Sequence, residues 1–93
     1  MPRPLCPRTI SHSPPVAYFK PAGIPLRDLE EITLAADEME ALRLADCEEL
    51  YHLEAAKKMG ISRQTFDRIV NRARKKSACA LVKGLAIRIE KHV

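Results

Sequence analysis

The sequence is poor in the residues from which several kinds of functional site are built. It has only three glycines, too few for a glycine-rich phosphate loop. Its three cysteines, Cys6, Cys47 and Cys79, lie far apart without a Cys-x-x-Cys pair, so neither a disulfide framework nor a zinc site is expected. The acids and histidines show no spacing typical of an acid-base pair or a metal site. We therefore expect a cytoplasmic protein with no enzyme activity, metal or cofactor.

Long hydrophobic runs are also missing. No apolar stretch approaches the roughly 18 residues of a membrane-spanning helix, and the prolines at the N-terminus exclude a signal-peptide core. A chain of 93 residues can bury only a modest core, so self-association is a natural supplement. We expect one small domain without a membrane partner.

Residues 52–71 have the pattern of a helix-turn-helix. Ala56 is small where two crossing helices would approach closely, and Gly60 stands where the turn needs positive φ. Ser62 is placed to cap a second helix that begins at Arg63. The other small or apolar positions of the pattern belong between the helices, and they are Ala55, Met59, Ile61, Phe66 and Ile69.

The second predicted helix has two different faces. At 100° per residue, its apolar and small residues share one side, namely Phe66, Ile69, Val70, Ala73, Ser77 and Ala80. The opposite side carries Gln64, Arg68, Asn71 and Lys75. Arginine suits guanine edges, and glutamine and asparagine suit adenine edges. A merely solvated face is the simpler interpretation of any single residue, but spacing, cap and charge together predict DNA binding.

Such a helix would lie in the major groove with its first turns deepest. The side chains predicted to contact base edges are Gln64, Thr65, Asp67, Arg68, Asn71 and Arg72. Those predicted to contact phosphates are Ser62, Arg63, Arg74, Lys75 and Lys76. One helix covers few base pairs, so a homodimer on a two-part site is expected.

The remaining segments predict a mainly α protein with a three-helix core and a small β pairing. Residues 1–15 hold five of the seven prolines and predict a flexible arm, either a simple tail or a second contact with DNA. A single domain is expected over residues 16–93. Within it, a short strand in residues 16–20 should pair with a strand at about 85–90, in one chain or between two.

The first predicted helix, at about residues 37–47, begins with a capping box formed by Asp37 and Glu40. Before it, residues 26–34 predict a turn of helix and then an extended stretch. The acids of this helix, Glu38 and Glu40 among them, predict a solvated face that does not lie on DNA. The other two helices are predicted at about 51–59 and 63–81.

Net charge is distributed unevenly along the chain. Residues 1–25 carry +3, residues 26–54 carry −8 and residues 55–93 carry +9. This suits a protein with one side facing a polyanion and another side turned away from it or towards a basic partner. The acidic segment therefore leaves an alternative function, a protein-interaction adaptor of the transcription machinery with only nonspecific DNA affinity.

Three segments resemble a known family: FKPAGIPLRDLEE, DEMEALRLAD, and the stretch that begins EAAKKMGISRQTF. The family comprises small bacterial and archaeal proteins, uncharacterised but predicted to bind DNA, with a helix-turn-helix similar to region 4 of sigma factors. The resemblance implies sequence-specific DNA binding in transcription. The chain departs from the family pattern at Leu5, Cys6 and Thr9, where relatives are basic. It also departs at His52 and Leu53, where relatives favour polar residues; Leu53 would then be either buried or a point of association.

Overall fold

The protein is mainly helical and carries a small sheet, as the sequence predicted. The computed structural model describes residues 9–10 and 14–91. Its helices are α1 (Ala36–Leu42), which continues as a π-helical turn (Arg43–Cys47), α2 (His52–Met59) and α3 (Arg63–Lys83). None of the helices in the described ranges combines the length and the hydrophobicity needed to cross a membrane.

The sheet contains three strands, β1 (Tyr18–Phe19), β2 (Glu31–Leu34) and β3 (Ala86–Ile89). The central strand, β3, runs antiparallel to β1 and parallel to β2. The predicted pairing of the N-terminal and C-terminal segments is therefore confirmed, and it forms within one chain. Parallel strands need a long crossover, and here all three helices supply it. The predicted helical turn before β2 is a short 3-10 turn, Leu26–Asp28.

The main core lies between the three helices. Phe66 is its largest side chain, and it is fully buried in one cluster with Ala41, Ala55 and Ala56. The alanines allow the helix backbones to approach one another, because they add little more than a methyl group at the contact. A second cluster, formed by Leu34, Ala73 and Ile89, joins the sheet to α3. This packing fixes α3 along one whole side.

The turn between α2 and α3 is built as predicted. Gly60 has φ 70° and ψ 32°, the left-handed conformation that glycine adopts without strain. The Ser62 hydroxyl then accepts a hydrogen bond of 3.1 Å from the Thr65 amide, which caps the first turn of α3. The helix continues to Lys83, two residues beyond the predicted end.

The predicted capping box of Asp37 and Glu40 is wrong. The helix α1 begins at Ala36, so Asp37 already lies inside its first turn. The residue before the helix, Ala35, is extended, and its amide donates to the Glu38 carboxylate at 2.9 Å. A glutamate in the third helical position thus accepts a hydrogen bond from the backbone amide of the residue before the helix, Ala35.

The expected solvated acidic face on α1 is wrong for two of its residues. Glu38 is 2% exposed and Glu40 is 3% exposed. Glu38 is bonded to Arg72 and Lys76 of α3, and Glu40 pairs with Arg43 at 2.8 Å. Burying a carboxylate is costly unless it is paired and hydrogen-bonded, and these basic partners meet that condition.

Most of the predicted arm, residues 1–15, lies outside the described residues, as do Leu5 and Cys6. Within the described part, the Thr9 amide donates to the Met59 carbonyl at 2.9 Å. Thr9 therefore lies against the C-terminal end of α2.

Candidate nucleic-acid interface

The helix α3 presents one polar side to solvent. Gln64, Arg68, Asn71 and Lys75 are all exposed, and they lie opposite the side packed in the core, as their spacing predicted. We call these four residues the exposed face. In the described part of the chain, none of their side chains has a hydrogen-bond or ion-pair partner. No described residue therefore uses the donors and acceptors of these four side chains.

One flank of the exposed face is bonded to α1. The Glu38 carboxylate accepts from Lys76 Nζ at 2.8 Å and from Arg72 Nε at 3.2 Å. Lys76 also donates to the Thr33 carbonyl at 2.8 Å. Burial alone would raise the pKa of Glu38, but the hydrogen bonds from Lys76, the Ala35 amide and Arg72 outweigh it and hold the pKa below its ordinary value. We call Arg72 and Lys76 the α1 flank.

The other flank, Asp67 and Arg74, is bonded to the π-helical turn and to α2. Arg74 donates from Nε and Nη2 to the two carboxylate oxygens of Asp46, at 3.0 and 2.7 Å. The hydrogen bonds from Arg74 hold the pKa of Asp46 below its ordinary value. Asp67 Oδ1 lies 2.7 Å from His52 Nδ1, and the His52 ring meets Phe66 edge to face. We call Asp67 and Arg74 the α2 flank.

The start of α3 is partly used by its own cap. Ser62 accepts from the Thr65 amide and donates its hydroxyl proton to Thr65 Oγ1 at 3.0 Å. Arg63 is exposed beside them and has no partner within the described residues. The free amides of a helix N-terminus and its dipole favour a nearby anion. Arg63 is thus placed where negative charge is most stabilised.

The structure divides the eleven predicted contact residues into three groups. Five have no side-chain partner in the described ranges, namely Arg63, Gln64, Arg68, Asn71 and Lys75. Ser62 and Thr65 form the cap. Four bind within the protein, namely Asp67, Arg72, Arg74 and Lys76. Arg74 and Lys76, which were predicted to contact phosphates, have acceptors in the same chain, and their contact with phosphate stays a prediction.

The acids that hold the flanks, Glu38 and Asp46, were missed as part of this surface. A signal existed for Glu38, because it precedes Ala41 by three residues and Leu42 by four, which places it on the buried stripe of α1. An acid at an apolar position of a periodic pattern indicates a buried partner. Asp46 lies 28 residues from Arg74, and no local pattern links them.

Comparison with known proteins identifies the family. A family sequence model described as "Protein of unknown function DUF134" matches residues 1–92. A UPF0251 protein of Desulfosudis oleivorans is 58% identical over 90 residues, which cover 97% of this chain and 65% of that protein. A UPF0251 protein of Moorella thermoacetica is 56% identical over 90 residues, covering 97% and 60%.

A UPF0251 protein of Vibrio vulnificus strain CMCP6 is 58% identical over 84 residues, covering 90% of this chain and 84% of that protein. The chain therefore spans less than two thirds of the length of the Desulfosudis and Moorella relatives, and most of the Vibrio relative. No solved structure matches it. The chain belongs to the uncharacterised family of UPF0251 proteins that this sequence model describes.

Proposed function

We propose that this protein binds double-stranded DNA in a sequence-specific manner and regulates transcription in the cytoplasm. In this proposal, α2, the turn at Gly60 and α3 act as a helix-turn-helix, with α3 in the major groove. The observation that carries it is the exposed face, four polar side chains that lie on one side of a firmly packed helix. They have no partner in the part of the chain that the structure describes.

The chemistry of the exposed face suits base edges. Arg68 carries a planar fork of donors that matches the O6 and N7 atoms of guanine, and Gln64 and Asn71 each offer a donor and an acceptor to adenine. These side chains stand on a helix whose opposite side is buried through Phe66 and Ile69. A helix anchored in this way holds its contact residues at fixed relative positions, which sequence-specific binding requires.

The charge around the exposed face suits phosphates. Arg63, Arg68 and Lys75 are unpaired in the described part of the chain, whereas Asp67, the acid nearest to them on α3, is bonded to His52. A phosphate backbone approaching this side therefore meets net positive charge, which releases counterions and favours binding. Because one helix contacts only a few base pairs, the proposal includes a homodimer on a two-part site.

Selection of bound duplexes from a random DNA pool tests the proposal. The selected duplex and a scrambled duplex are then titrated at two salt concentrations, with wild type, Arg68→Ala and Arg27→Ala. Arg68→Ala should lose about 1–3 kcal/mol of binding, confined to one base position of the site. Arg27 is an exposed cation in the 3-10 turn before β2, so Arg27→Ala removes the same charge outside α3 and should keep the base preference.

The rival function is a protein-interaction adaptor with only nonspecific DNA affinity. Tyr51 and Leu53, at the start of α2, are 83% and 55% exposed, so the structure leaves Leu53 available for association. An adaptor would bind the selected and scrambled duplexes equally, with the same salt dependence. That result, together with an unchanged Arg68→Ala profile, would replace the proposed function with the rival.

A further inference from the structure

We infer that Glu38 is a positioning residue, which holds Arg72 so that the free edge of its guanidinium binds a phosphate of the DNA backbone. The inference rests on the proposed function, since it assumes that α3 lies against DNA. It assigns to Arg72 a backbone contact in place of the base contact that its sequence position suggested. It also assigns a function to the buried carboxylate of Glu38 on α1.

Glu38 is fixed from three directions. Its carboxylate is 2% exposed; Oε1 accepts from the Ala35 amide at 2.9 Å and from Lys76 Nζ at 2.8 Å. The other oxygen, Oε2, accepts from Arg72 Nε at 3.2 Å. Because one of these donors is backbone, the carboxylate cannot swing away with a flexible side chain. It is a rigid support for the arginine that it binds.

Arg72 uses only one of its donor groups on that support. Its side chain is 58% exposed, and its two terminal amino groups have no partner in the described part of the chain. Arg74 shows the alternative arrangement, in which Nε and Nη2 both donate to Asp46. A guanidinium held through Nε alone keeps its outer edge free, and that edge can donate two parallel hydrogen bonds to a phosphate.

The position of Arg72 on α3 favours a phosphate over a base. At 100° per residue, Arg72 lies about 40° round the helix from Arg68 and about 80° from Gln64, on the side that faces α1. When a helix lies in the major groove, the middle of its exposed side meets base edges, and its flanks meet the backbones that border the groove. Arg72 belongs to such a flank.

The Glu38 carboxylate has two opposing effects on DNA binding. Positioning favours binding, because an arginine that is already held loses less side-chain freedom when it meets the phosphate. Negative charge opposes binding, because it repels the phosphate and neutralises the arginine. Glu38→Gln removes the negative charge and, where the amide nitrogen replaces Oε2, also the acceptor for Arg72 Nε. The direction of the change in affinity therefore shows which of the two effects is larger.

The first experiment titrates the selected duplex with wild type, Glu38→Gln, Arg72→Ala and the double variant. If Glu38 positions Arg72, Glu38→Gln weakens binding several-fold although it removes a negative charge, and this loss disappears when Arg72 is already alanine. If Glu38 is only a charge, Glu38→Gln tightens binding. Tighter binding, or an equal loss in both backgrounds, overturns the inference. Circular dichroism and thermal unfolding confirm that each variant is folded at the assay temperature.

The second experiment uses substitutions at Arg72 alone, which is exposed enough to tolerate them should Glu38→Gln fail to fold. Arg72→Ala should weaken binding on the order of tenfold, as expected for one charge-assisted contact, and lower the salt slope by about 0.9. Arg72→Lys should restore the slope but not the affinity, because lysine lacks the Nε donor and the fork. Arg27→Ala, which removes an exposed arginine outside α3, is the matched control and should leave the slope unchanged.

The outcomes separate this inference from the proposed function. If wild type binds selected and scrambled duplexes equally, the proposed function fails before any variant is compared. If wild type is sequence-specific and Arg68→Ala impairs it, an unchanged salt slope in Arg72→Ala overturns the inference alone. A change of preference at one base position in Arg72→Ala, with the slope intact, also overturns it, because Arg72 would then contact a base.

Discussion

The exposed face and the two flanks of α3 carry similar basic residues, yet their side chains are used differently. Arg68 and Lys75, on the exposed face, have no partner in the part of the chain that the structure describes. Arg74, next to Lys75 in the sequence, donates two hydrogen bonds to Asp46. Lys76, the following residue, is bonded to Glu38 and to the Thr33 carbonyl. Neighbouring cations thus differ in whether the fold supplies them with an acceptor.

This difference changes the meaning of the charge pattern. The acidic segment, residues 26–54, carries −8, and the basic segment, residues 55–93, carries +9. Two of the acids, Glu38 and Asp46, hold the flanks of α3, so part of the opposite charge cancels inside the molecule. Of the α3 cations without a partner among the described residues, Arg68 and Lys75 lie in a narrow line between the flanks, and that line is the centre of the proposed DNA contact. The net charge of residues 55–93 alone would therefore overestimate the positive charge that α3 presents to DNA.

The largest expected effect is the difference in stability between a variant on the buried side of α3 and one on its exposed face. Phe66→Ala should lower the free energy of unfolding by about 3–5 kcal/mol, because it leaves a cavity in the main core. Gln64→Ala, on the exposed face, should change it by no more than about 0.5 kcal/mol. Urea unfolding of both variants measures the difference. A loss of several kcal/mol in Gln64→Ala would show that the exposed face takes part in the fold.

Most features predicted correctly from the sequence depend on residues close together in the chain. The pairing of β1 with β3 is the exception, because it was predicted from the strand patterns of two distant segments. Gly60 and Ser62 act within their own turn, and the two sides of α3 follow from its helical period. The support of the flanks depends on distant pairs, since Glu38 lies 34 residues from Arg72 and 38 from Lys76. The helical period indicates that Glu38 is buried, but no local rule identifies Arg72 and Lys76 as its partners. The place of β2 beside β3 was hidden for the same reason.

Lowering the pH should weaken the ion pairs that hold the two flanks and should leave the exposed face unchanged. The pKa values of Glu38 and Asp46 lie below their ordinary values in the folded protein. Both groups therefore stabilise the fold fully above the ordinary carboxyl pKa of about 4. This contribution is lost as the pH falls through that value towards the lower folded-state pKa values. The stability lost in acid should be smaller than the stability lost in Phe66→Ala, because protonation of Glu38 and Asp46 leaves the core packed.

Urea unfolding between pH 3 and pH 6 measures this dependence. Glu38→Gln should show a shallower loss of stability with acid than wild type, because glutamine cannot titrate. Glu30→Gln serves as the matched control, since Glu30 is an exposed glutamate just before β2, and it should retain the wild-type profile. A Glu38→Gln profile with the same slope as wild type would mean that Glu38 does not couple folding to pH.

The smallest effect concerns two adjacent residues, Arg74 and Lys75. Arg74→Ala should lower the free energy of unfolding by about 0.2–1 kcal/mol, because its ion pair with Asp46 is partly exposed to solvent. Lys75→Ala should leave stability unchanged, yet it should weaken binding to all DNA sequences and lower the salt slope by about 0.9.

Urea unfolding and salt titrations on the same two variants measure both effects for each residue. If Arg74→Ala lowered the salt slope as much as Lys75→Ala, Arg74 would leave Asp46 to bind phosphate, and the α2 flank would be part of the DNA contact. If both slopes stayed at the wild-type value, Lys75 would lie outside that contact.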